Sequence, residues 1–161
     1  MSDTMVLAPA TVMKIRGTNA LSASKPAGYL HQIGGFVGVI VEDILGTGVA
    51  FVTGAVKGAP LSSGLGDGLG DMFIHGVFAI PVASGIAGAL AVGDPVYYDG
   101  TNADRVTETN SGHLAGWVWP QDNASAVRAI AADDPQWMQD MSPAYVACHV
   151  KLAGFPKTGL V

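Results

Sequence analysis

Charge is what this sequence has least of. Only 13% of its 161 residues are Asp, Glu, Lys or Arg, about half the share found in an average soluble domain. A domain of this size has a large surface for its volume, so few charges leave much of that surface neutral. Such a surface is covered by a partner or prone to aggregate, which argues against a freely diffusing monomer. Basic residues are the scarcer sign, eight against thirteen acids, for a net charge of −5. Nucleic-acid binding needs a clustered basic surface, and these eight are scattered, so no nucleic-acid partner is expected.

Cysteine is nearly absent. A lone Cys148 forms no intramolecular disulfide and leaves no Cys-rich zinc site, which reads as a reducing compartment. Met1 to Pro9 has neither a basic n-region nor an apolar h-region, so no secretory signal is expected. One uncharged run, Met72 to Gly93, is 22 residues long, enough to cross a bilayer. Gly76, Pro81, Gly85, Gly88 and Gly93 interrupt it, so it reads as a strand and a tight connection, with no membrane partner.

What is present is apolar and rich in turns. Hydrophobic residues make up 49% and glycines number 22, and the mean hydropathy is +0.37. A core can form and wholesale disorder is excluded. Short β-branched and aromatic runs punctuated by Gly, Pro, Asn and Asp predict an all-β fold, a small barrel- or sandwich-like domain. Strands are expected at Phe36 to Val41, Val49 to Val56 (its hairpin partner across Gly46 to Gly48), Phe73 to Val82, Pro95 to Tyr98, Ala103 to Thr107, Leu114 to Trp119, Ala126 to Ala131 and Tyr145 to Leu152. Pro81 is expected to end the hydrogen-bonded part of the third. Asp99-Gly100 and Asn110-Ser111-Gly112 supply turns.

Two segments stand apart. Residues 1–35 carry three of the eight bases and one of the thirteen acids, a net +2, while the rest carries −7. They read as an extended N-terminal arm on a β-rich domain over 36–155, followed by a tail at 156–161. Within an insertion at 121–143, Asp134 is placed to N-cap and Pro135 to start one short helix over Asp133 to Pro143, carrying Trp137, Met138 and Met141.

A search for catalytic chemistry finds no constellation. Cys148 and His149 are adjacent on a strand and point to opposite faces, so they cannot act as nucleophile and base. The alternation puts Val146, Cys148, Val150 and Leu152 on the core side. His31, His75, His113 and His149 lie on four segments without ligand spacing, so neither metal nor cofactor is expected. The tandem Gly-Leu-Gly-Asp at 64–71 lacks the periods of calcium loops, matches no phosphate-binding glycine motif, and reads as a surface loop. Glu42-Asp43 and Asp133-Asp134 read as solvated acids at strand ends. Trp117 and Trp119 share a strand face and are expected in the core.

The middle of the chain resembles a known family. Gly35-Phe36-Val37-Gly38-Val39-Ile40-Val41-Glu42-Asp43-Ile44 looks like the opening strand of the capsid cement (decoration) proteins of tailed bacteriophages. Gly76-Val77-Phe78-Ala79-Ile80-Pro81 and Ala91-Val92-Gly93-Asp94-Pro95-Val96-Tyr97-Tyr98-Asp99 are similar to later segments of that family. So are Gly112 to Trp117 and the closing Val146 to Leu152. Five motifs keep the family's order over roughly residues 30–155. The long glycine loop, the insertion and the arm depart from it.

The resemblance implies a small β-barrel-like domain on the outer surface of a phage head. It would bind the assembled lattice of the major capsid protein, commonly as a homotrimer, with no catalytic residues. Candidate contacts with capsid or subunit are Lys14, Arg16, Tyr29, Trp137, Met138 and Met141, with Trp137 as the anchor. The runner-up is a head-displayed adhesion or glycan-binding module using Tyr97, Tyr98 and Trp137. An enzyme ranks last.

Overall fold

The computed structural model describes residues 5–7, 14–16, 25–46, 70–101, 105–121 and 125–154. The expected strand Val49 to Val56, Asp67 of the glycine loop and the tail at 156–161 lie outside them.

The fold is all-β, a closed barrel with a second sheet against it. The elements are β1 (Met5–Leu7), β2 (Lys14–Arg16), β3 (Leu30–Ile33), β4 (Phe36–Ile40), β5 (Asp71–Phe73), β6 (Val77–Ala83), α1 (Ser84–Ala87), β7 (Pro95–Tyr98), β8 (Val106–Thr107), β9 (Leu114–Val118), β10 (Val127–Arg128), α2 (Gln136–Gln139) and β11 (Tyr145–Leu152). The barrel runs β6-β8-β7-β9-β11 and closes where β11 returns to β6 over seven residue pairs. β1 and β10 add to its outer edges, and the smaller sheet runs β2-β5-β4-β3.

The strand expected as one unit at Phe73 to Val82 is two, and they belong to different sheets. β5 pairs with β4 in the smaller sheet, whereas β6 pairs with β11 in the barrel. The chain changes sheet through Ile74 to Gly76, where Gly76 takes a φ of +123°. A side chain opposes that backbone, and glycine does not. Phe73 and Phe78 stack across the change with ring centroids 5.7 Å apart, so the two sheets share one core. Nor does Pro81 end its strand. It lies opposite Ala147, and Ile80 and Val82 stay in register with Cys148 and Val146. Proline removes one donor, and the longest ladder of the barrel tolerates that loss.

The arm gives way well before residue 35. Leu30–Ile33 pairs antiparallel with Phe36–Ile40, and Lys25 bridges to Ile44. Ile33 and Phe36 face each other, so Gly34-Gly35 is a two-residue hairpin turn, with Gly34 at φ +59°. β1 pairs with β6 and β2 with β5, so the described parts of the arm also join the two sheets.

The other differences are shorter elements. The strand expected at Ala126 to Ala131 is only Val127–Arg128; of the one expected at Ala103 to Thr107, Val106–Thr107 is strand, and Ala103 and Asp104 lie outside the described residues. The helix is a single turn whose N-cap is Pro135. Asp134 does not cap it, because its carboxylate is taken by Arg128 and by the Ala131 N–H. The last strand falls at Tyr145–Leu152 with the expected alternation. Cys148, Val150 and Leu152 join the barrel core with Phe78, Ile80 and Val82.

Candidate interaction surface

The outer wall of the barrel carries the exposed apolar surface. Along β9, Ala115 and Val118 point inward and are buried, while Trp117 is 37% exposed. The expectation that Trp117 and Trp119 are core residues is overturned, since Trp117 is exposed and Trp119 is half-buried outside both core clusters, although they do share a face. Strand alternation fixed that they point the same way, and barrel closure decided that this way is outward. Pro95 of β7 and Lys151 of β11 flank Trp117 in register, and both are exposed. Val92, 42% exposed, belongs to the turn whose Gly93 N–H bonds Val118 O at 2.9 Å. Val92 and Trp117 are the two large hydrophobic side chains exposed among the described residues, and they lie at the same end of β9. Lys151 leans over Trp119 with its Nζ 4.9 Å from the ring centroid.

The insertion covers a second part of the wall. On the barrel's outer face β6 and β11 present Ala79 and Ala147, and Met138 of α2 is fully buried against them. Two small side chains make a shallow seat, and an unbranched methionine fills it. Met138 is thus corrected from interface candidate to buried contact. Its neighbour Trp137 meets Tyr29 edge-on, with centroids 4.4 Å apart and planes at 81°. Two interface candidates from distant parts of the chain are therefore partners of each other. Trp137 and Tyr29 are half-buried, as is Met141. Lys14 and Arg16 lie on β2, opposite Phe73 and Asp71 of β5. Of the aromatics named for the glycan reading, Tyr98 is in the core at 8% exposure.

Arg105, Lys25 and Arg128 are each engaged within the chain. Arg105 sits 4.1 Å from the Tyr145 ring centroid and Lys25 5.2 Å from that of Tyr29. The Arg128 guanidinium gives two hydrogen bonds to Asp134, at 2.6 and 2.7 Å. Asp134 is only 8% exposed, so it is not the solvated acid that its place in the sequence suggests. Burial works against its charge. The bonds from Arg128 and the Ala131 N–H outweigh that and hold its carboxyl below the usual value. The same pairing raises Arg128. Burial, and then Lys25, lower His31.

Cys148 faces the barrel interior, and burial pushes its thiol up to about 12. A thiol so held is no nucleophile near neutral pH. Among the described residues, no three His, Cys, Asp or Glu side chains stand together to hold a metal. None of the described helices is long and apolar enough to cross a membrane. No protein-family model matches the chain, and neither a curated protein nor a solved structure does.

Proposed function

We propose that this chain is a non-enzymatic structural protein of a phage virion. It binds the outer surface of the assembled capsid and stabilises the major capsid protein lattice, as a homotrimer. The observation that carries this reading is the apolar wall around Trp117, with Val92 and Pro95 beside it and one charge of each sign, Lys151 and Asp94, at its border. A wall of this kind is desolvated at little cost against another protein, because few charges lose their water. The motifs that resemble the cement family supply β4, β6, β7, β9 and β11, which include four of the five barrel strands.

Cementing of this kind works by mass action. A ligand that binds only the assembled lattice stabilises it, and several contacts per oligomer add avidity without any strong single one. The test is co-sedimentation of the purified chain with heads built from the major capsid protein of the same genome. Unassembled capsid protein serves as the comparison. Binding to heads alone, lost in a folded Trp117→Ser variant, is the expected result. Equal binding by the variant would falsify the placement of the interface.

A second reading is a glycan-binding module, since an exposed indole beside another tryptophan is a surface on which a sugar ring can stack. Copy number separates the two readings. A cement is present in hundreds of copies per virion and an adhesin in few.

A further inference from the structure

The insertion before β11 is braced within itself by hydrogen bonds and held to the barrel by packing and a two-pair ladder. Its internal bonds are numerous. Besides the paired Arg128–Asp134 contacts, Ala131 N–H donates to Asp134 at 2.7 Å. Gln139 Nε2 donates to the carbonyls of Ala132 and Asp134 at 3.1 and 2.6 Å, and Gln136 Nε2 to Asp140 at 2.8 Å. All of these join residues within 128–140, so they survive any motion that moves the segment as a body.

Its attachments to the rest of the molecule are packing contacts and a short ladder: Ala126 and Val127 pack against the barrel core, Ile130 lies beside Met138, and Gln121 Nε2 donates to Ala126 O. Met138 rests in the seat of Ala79 and Ala147, and Trp137 sets its ring against Tyr29. β10 meets β11 through two residue pairs. At the far end, Ser84 donates from its N–H to Ala144 O and from its Oγ to Pro143 O, tethering the chain where it enters β11.

Two polar atoms at this attachment are unpaired. Trp137 Nε1 is buried with no acceptor. Gln121 Oε1, on a side chain whose Nε2 donates to Ala126 O and Ala147 O, is buried with no donor. A buried polar group without a partner opposes the conformation that buries it, because the same group is hydrogen-bonded when it reaches water. The unpaired Trp137 N–H therefore works against the docked position, Gln121 holds the segment down through Ala126 O, and the bonds that shape the segment are indifferent to its position.

We propose that residues 125–142 form a strap that lifts from the barrel wall as one unit while the barrel stays folded, with the unpaired Trp137 indole keeping its docked state shallow. Lifting wets the indole N–H, preserves the Arg128–Asp134 clasp, and lays bare an apolar seat of Met138, Ala79 and Ala147. The inference stands apart from the capsid reading and holds or fails without it.

Oxidation of the full chain by dilute hydrogen peroxide tests it. The amides of Met138, Gln139 and Asp140 bond to Pro135 O and Gln136 O inside the strap and stay bonded when it lifts. The Met138 thioether, fully buried while docked, becomes open to peroxide. Met138 is expected to form its sulfoxide while the amides of the β6–β11 ladder keep their protection from hydrogen exchange. Replacing Trp137 with 3-benzothienylalanine keeps the fused ring and removes the N–H. Oxidation of Met138 should then slow by about 5- to 30-fold, the factor that about 1–2 kcal/mol represents, with the ladder unchanged. Oxidation of Met138 that proceeds only as the ladder opens overturns the proposal. So does an unchanged or faster rate after the replacement.

Discussion

Substituting Gly116 by alanine tests the close approach of β9 to β11 in the barrel wall. A Cβ on Gly116 would overlap the carbonyl oxygen of Lys151, and would stand 2.8 Å from its carbonyl carbon and 3.0 Å from Leu152 Cα. All three atoms are backbone of β11, so no side chain can swing aside. β9 must instead move away along the edge where Gly116, Trp117 and Val118 face Leu152, Lys151 and Val150. Weakening two ladder bonds costs about 2 kcal/mol, and the residual overpacking about 1–3 kcal/mol more. The expected loss is about 3–5 kcal/mol, or roughly 6–20 °C in Tm for a chain of this size.

Two other glycines calibrate the scale. Gly112, at φ +87° in open space, should lose about 1–2 kcal/mol as alanine from backbone strain alone. Gly100, also in open space with no such φ, should stay within about 0.5 kcal/mol. Urea unfolding with a constant m-value reads all three. If Gly116→Ala costs less than about 1 kcal/mol, β9 and β11 do not approach as described and the reasoning fails.

Other outcomes follow from the same structure. Met138→Ala should destabilise by about 2–3 kcal/mol in chemical denaturation, because the methionine is fully buried but its seat is shallow. Cys148 should resist thiol reagents at pH 8 in the native state and react at once in denaturant, since burial holds its thiol near 12; rapid native labelling would contradict its place in the core. The carboxyl of Asp134 is held below its unfolded value, so its contribution to stability is present above about pH 4. That contribution is lost as pH falls through the lower folded value. Asp134→Asn should therefore be less stable than the parent at pH 7 and should converge with it in acid; parallel pH–stability curves would refute the pairing.

The sequence by itself determined the all-β class, the final strand and its two faces. Those depend on local signals: β-branched runs between glycines and prolines, and the two-residue period that puts Cys148 inside and Lys151 outside. It also contained the Gly34-Gly35 turn, between Ile33 and Phe36, as a readable hairpin signal. Charge contrast alone assigned that stretch to an arm, whereas the pairing places it in the smaller sheet.

Only the tertiary structure decided which face of a strand is core and which sheet a strand joins. Phe73 and Val77 stand in one apolar run, yet the turn at Gly76 sends them to different sheets. Trp117 alternates correctly but points out of the barrel, because the side on which a sheet closes is set by partners far away in sequence. Asp134 and Met138 had the local marks of a cap and a contact residue. Arg128 claims the first, and the seat at Ala79 and Ala147 claims the second. Burial is a property of what lies opposite, and for a neutral, glycine-rich chain local composition does not say what that is.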